Sequence, residues 1–254
     1  MTRRNWSREE TLVAFALYCR LPFGRLHGRN PEIVSVAQKL GRTASAVAMK
    51  CCNLASLDES HQARGIRALS NVSAQDRTVW DEYLANPDSV SFEAARALAT
   101  IESRPLLPLE DVEHFGEGRE SERVVRVRVN QRFFREMILA GYTEKCAVCG
   151  LALPALLVAS HIVPWSVDPV HRLHPRNGLC LCGTHDRAYE CGILRVHPNY
   201  RIRISVAGEL REESATANWL VRFEGERIRL PQRWSPDPVL LQRKLDLLSA
   251  AGSI

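Results

Sequence analysis

The 254-residue chain has no apolar run long enough to cross a bilayer. Its longest nearly apolar stretch, 151–159, is broken by Pro154 and falls far short of the ~20 residues that a transmembrane helix needs. Behind the positively charged start, Met1 to Glu10, there is neither an apolar core nor a small-residue cleavage site, so no secretory leader is read and a cytoplasmic location is expected. Internal repeats and low-complexity tracts are missing too. A composition of 45% hydrophobic and 25% charged residues is that of a soluble globular chain and not of a fibrous or disordered one. Lysine is scarce, 4 residues against 30 arginines, a skew that a GC-rich coding sequence explains. Charge of one sign is also lacking: a net +5 permits nucleic acid as a partner without demanding it.

Cysteine, by contrast, is plentiful. Eight thiols in a chain read as cytoplasmic point to metal binding, catalysis or plain burial, because a reducing compartment keeps disulfides rare. Their positions must decide which.

The first hundred residues read as punctuated helices. Ser7 with Glu10 has capping-box spacing, and Leu12, Phe15, Ala16 and Cys19 then recur at helical intervals. Asn30 followed by Pro31 opens a second helix with Ile33, Val34, Ala37 and Leu40 on one face, and Gly41 stops it. Thr43 can cap a third, in which Val47, Cys51 and Leu54 share a face. Two helices joined by so short a turn form a candidate helix-turn-helix, with Ser45, Met49, Lys50 and Asn53 on its exposed side, Lys50 suited to a phosphate and Asn53 to a base edge. The segment resembles the Myb-like or homeodomain-like tri-helical domains. Ser73 with Asp76 opens a further helix through Leu84, and 89–100 form another after Asn86-Pro87.

Composition then shifts. Residues 104–120 hold two prolines, two glycines and many acids without periodicity, which marks a linker. Beyond it, 121–129 alternate Arg and Val and stay undecided between strand and helix, whereas 130–140 have helical spacing through Phe133, Phe134, Met137 and Ile138. The expected division is a helical domain over 1–105, a linker over 106–120 and a second domain over 121–254 with its core at 140–195.

The chemistry concentrates between Cys146 and Gly192. Cys146 and Cys149 form a CxxC knuckle, and Cys182 with His185 repeats the spacing, together a CxxC…CxxH zinc site. On an extended segment Cys180 points to the same side as Cys182, so a Cys180 variant stays open. Cys19, Cys51, Cys52 and Cys191 read as small buried hydrophobes.

Between the two half-sites stand Ser160-His161-Ile162-Val163-Pro164-Trp165, then Arg176-Asn177-Gly178-Leu179, then His185-Asp186. In this order and setting the segment resembles the HNH endonucleases, over roughly 130–195, and the 177–189 run is most similar to bacterial restriction endonucleases of that family. The resemblance implies a ββα-metal core, a hairpin followed by a helix, and a phosphodiester hydrolase. His161 would be the general base, since an imidazole titrates near neutrality. Asn177 would orient it or join the metal shell, and Asp186, nine residues on, would hold Mg²⁺ or Mn²⁺, a hard cation that suits a carboxylate. In a competing register His185 takes that place and zinc goes to Cys180 and Cys182. His171, His174 and His197 are expected to face solvent, and Asp168 and Glu190 are read as residues that support the site from behind or act as hinges, without a firm role.

The arginines at 123, 126, 128, 132 and 135, of which Arg126, Arg128 and Arg132 are the leading candidates, would suit a DNA-backbone track or a solvated face. The whole reads as α+β: a tri-helical, helix-turn-helix-like domain before a zinc-stapled ββα-metal domain. DNA is the expected partner, in restriction or defence, with a homodimer as one route to double-strand cleavage. An RNA nuclease or nickase, or a regulator that binds DNA without cutting it, are the alternatives.

Overall fold

In the computed structural model, residues 4–59, 61, 72–107 and 119–252 are described. The protein is α+β, in two compact units, Met1–Ala140 and Gly141–Ile254. No described helix is long and apolar enough to cross a membrane.

The first unit is helical. Helix α1 (Arg8–Arg20) starts at a complete capping box, with Ser7 and Glu10 each bonded to the other's backbone N–H. Helix α2 (Pro31–Leu40) is capped by Asn30 and closed by Gly41 at φ 63°, a left-handed conformation that costs a residue with a Cβ about 1 kcal/mol. Arg42 and Thr43 bridge to α3 (Ala44–Ala55), whose first turn Thr43 caps. Helices α4 (Ala74–Ala85) and α5 (Pro87–Glu102) follow, opened by Ser73–Asp76 and by Asn86. Aromatic rings fill the core between them: Phe15 lies 4.9 Å from Tyr83 and stacks on Phe133 at 6.3 Å.

Helix α6 (Arg119–Gly141) resolves the undecided stretch. Its Arg–Val alternation forms no strand, because Val129, Phe133 and Met137, at four-residue spacing, share the buried side of one helix. The expected linker lies largely outside the described residues.

The helix-turn-helix reading needs a correction at two of its four contact residues. Ser45 and Met49 are exposed, but Lys50 and Asn53 are buried. The Lys50 ammonium pairs with Asp76 at 2.6 Å and sits 4.8 Å from the centre of the Trp6 ring, so α4 and the N-terminal segment cover the side of α3 that was expected to meet DNA. A buried cation without such a partner would cost several kcal/mol, about 3–5 when one member of a pair is removed.

In the second unit a tight turn at 146–150 precedes β1 (Leu157–His161). Strand β2 (Gly178–Cys182) pairs with it antiparallel, placing His161 opposite Gly178 and Leu157 opposite Cys182. Helix α7 (Gly183–Glu190) leaves β2 directly, which completes a ββα unit. A second hairpin, β3 (Leu194–Val196) with β4 (Ile202–Ile204), follows, then the short helices α8 (Gly208–Glu212) and α9 (Ser214–Trp219) and the longer α10 (Pro238–Ala250).

Candidate metal centre and active site

The turn at 146–150 is built to present two thiols from one short segment. The Gly150 N–H donates to the Cys146 carbonyl at 3.0 Å, and Gly150 takes φ +77°. A Cβ there would also meet the Arg229 guanidinium at 3.2 Å, so glycine satisfies both backbone and space. The other two ligands lie where β2 becomes α7: Cys182 is the N-cap, and His185 is fully buried in the first turn.

The Sγ atoms of Cys146, Cys149 and Cys182 and a ring nitrogen of His185 lie within 4.8 Å of one another. Zinc with ordinary bond lengths in a tetrahedron needs ligand–ligand edges of about 3.5–3.8 Å. The observed 3.7 Å (Cys146 to His185 Nδ1), 3.9 Å (Cys149 to Cys182) and 3.0 Å (Cys182 to His185 Nδ1) bracket that range. Nε2 of His185 donates to the Trp219 carbonyl at 2.9 Å, which leaves Nδ1 as the ligating nitrogen, and the Phe223 ring stands edge-on to the imidazole at 5.3 Å. Burial raises the Cys149 thiol to about 12, with its cysteine neighbours adding to the effect. At Cys146 burial acts the same way, but the contact with His185 and hydrogen bonds from backbone amides prevail and bring it down to about 6. Three thiols and an imidazole nitrogen converge in a largely buried site, and this donor set could hold zinc. Cys180 is buried in β2 opposite Ala159, one strand repeat short of the cluster. Of the other cysteines, Cys19 and Cys51 are buried as expected; Cys191 is exposed, contrary to expectation, because it follows the end of α7.

His161 ends β1. Its Nε2 donates to the Arg172 carbonyl at 2.8 Å, which makes Nδ1 the basic nitrogen, and Trp165 stands edge-on at 5.7 Å. Burial lowers its pKa, and the hydrogen bond to Arg172 opposes that only in part. Residues on a helix are ~100° apart, so His185 turns inward while its neighbour Asp186 turns aside, half-buried, to a hydrogen bond with Ser160. Burial raises the Asp186 carboxyl, Glu190 adds to this, and Ser160 and Arg187 counteract it.

Asn177 departs from the expectation. It is fully buried; its Oδ1 accepts from the Val163 N–H at 2.9 Å, and its Nδ2 donates to the Val163 carbonyl at 3.1 Å. The amide thus completes the hairpin like one more ladder pair, two residues beyond His161, and is not presented to a metal ion. It sets the path of the backbone that carries the base.

Other expected residues divide. His171 is partly exposed and bonded to Asp168 at 2.8 Å. His174 is less exposed than expected: its side chain caps the Arg176 N–H at 3.3 Å, and burial first, then Arg176 and His171, hold it down at about 4. His197 is partly buried. In the first unit, Arg126 pairs with Asp88 at 3.1 Å and lies over the Phe92 ring, Arg132 pairs with Glu136 at 3.1 Å, and Arg128 is exposed. The sequence gives no signal for the Arg172 and Trp219 carbonyls, because any residue type can supply one.

Residues 146–194 match the family model described as HNH endonuclease, less than a fifth of the chain and the part that holds the four ligands and the ββα unit. At the level of that family the segment is a nuclease domain. No curated protein and no solved structure matches the chain.

Proposed function

We propose that the protein is a metal-dependent DNA endonuclease in which His161 is the general base. The observation that carries this reading is the hydrogen bond from His161 Nε2 to the Arg172 carbonyl, which fixes the tautomer a base needs. Burial keeps the ring neutral near pH 7, ready to take a proton from water at Nδ1. Asn177 holds the loop after β1, so the imidazole keeps its direction. Asp186, with the Ser160 hydroxyl beside it, is the residue that would hold Mg²⁺ or Mn²⁺. Such an ion supplies charge neutralisation at the scissile phosphate and the leaving oxygen. Zinc on Cys146, Cys149, Cys182 and His185 would tie the knuckle to the start of α7, a structural role away from the chemistry.

DNA restriction or defence is the setting that the likeness of 177–189 to bacterial restriction enzymes favours. One site of this kind cuts one strand, so a double-strand break requires two copies or two successive events. The helical unit is assigned to targeting, with Ser45, Met49 and the exposed Arg128 as its available contacts and Arg126 and Arg132 free to exchange an acidic partner for a phosphate. The test is cleavage of modified and unmodified DNA, and of RNA, by the purified chain with Mg²⁺ or Mn²⁺. Cutting that is lost in His161→Ala supports the reading; cutting that survives in that variant refutes it.

A further inference from the structure

Between Val163, held by Asn177, and Asn177 itself, the chain makes a long excursion and returns to place one backbone carbonyl, that of Arg172, on His161. Asp168 anchors that excursion. It is a carboxylate with 4% side-chain exposure in a loop, where an ionised group must be fully partnered to be tolerated. Its Oδ1 accepts from the Val170 N–H at 3.1 Å and the His171 N–H at 3.0 Å; its Oδ2 accepts from His171 Nδ1 at 2.8 Å and from Arg243 of α10. The turn built in this way ends one residue before Arg172. The loop's tip faces solvent, with Val170 74% exposed.

We propose that Asp168, gripped by Arg243, is a positioning residue for His161: it fixes the turn that delivers the Arg172 carbonyl, and thereby the tautomer and direction of the imidazole. Helix α10, 75 residues further along the chain, reaches the loop that carries Arg172 through this ion pair. The proposal rests on His161 being the base, but the geometry it invokes can be read without any cleavage. Asp168→Asn keeps an acceptor for the two backbone amides and replaces the oxygen that meets His171 and Arg243 with an amide nitrogen. Arg243→Ala leaves the loop untouched and removes only the grip.

The experiment pairs imidazole ¹⁵N spectra of the full-length protein, which report the His161 tautomer, with single-turnover DNA cleavage and zinc content. Both variants are expected to retain zinc and to bind DNA with a KM within about twofold, to show a mixture of His161 tautomers in place of one, and to cut about 10- to 100-fold more slowly, the scale of a misplaced catalytic group. Arg243→Lys should recover part of the rate. An unchanged His161 tautomer in both variants overturns the proposal, as does a rate loss that only accompanies zinc loss. If Asp168→Asn fails to fold, Arg243→Ala decides alone. If the wild type cuts no nucleic acid, the nuclease reading fails and the spectra still judge the positioning.

Discussion

Replacing Asn177 with alanine separates two roles for this residue. The amide makes two hydrogen bonds to Val163 in a fully buried place, and its removal leaves one N–H and one carbonyl unpaired. Each such group costs about 1–3 kcal/mol, so the pair costs about 2–6, with a centre near 3 if the neighbours close in partly. At a urea m-value of about 2 kcal/mol/M, 3 kcal/mol lowers the unfolding midpoint by about 1.5 M. Fluorescence of Trp165, Trp219 and Trp234, all within the second unit, reports that transition. Cleavage should fall at every Mg²⁺ concentration, because the fault lies in the direction of the imidazole and no added ion repairs it. A variant with an unchanged midpoint whose activity returns at high Mg²⁺ would refute this account and put Asn177 in the metal shell.

Three further outcomes are expected. Cys182→Ser should lose tightly bound zinc, about one ion per chain, while Cys180→Ser retains it, as metal analysis of dialysed protein will show; the opposite pattern would return His185 to the catalytic metal. Burial lowers the His161 pKa from 6.5, so the neutral, active base persists as pH falls, and the acid limb of kcat/KM should lie below 6.5; a limb above that value contradicts a buried neutral base. Lys50→Ala leaves the Asp76 carboxylate buried without its cation and should destabilise the first unit by about 3–5 kcal/mol in chemical denaturation. Weakened DNA binding at unchanged stability would instead restore Lys50 to the DNA-facing side.

What could be read in the chain was local. Helix starts were legible because a cap and the amide it satisfies lie within three residues, as at Ser7, Asn30, Thr43 and Ser73. The four residues that could hold zinc were legible for the same reason: each pair sits on one turn, and spacing alone says that two donors converge. The burial of Lys50 was not, since Trp6 and Asp76 come from distant segments and three consecutive helices look alike whether or not a fourth covers them. The 121–129 stretch misled through its own pattern, as alternation suits a strand until the valines further on find partners on one helical side. At Asn177 the residue type was informative and its role was not: an amide serves a metal ion or a peptide group equally well, and only the register of the hairpin decides.

The carbonyl of Trp219 has a consequence for how much chain the metal site requires. A fragment bounded by the family match, 146–194, would contain every ligand and yet lack the acceptor that selects Nδ1 of His185, along with the Phe223 ring beside it. Such a fragment would bind its ion with the imidazole free to present either nitrogen. The smallest self-sufficient form of the centre therefore ends beyond Phe223, and any product of early termination or proteolysis before that point would be an ill-assembled domain and not a small, active one.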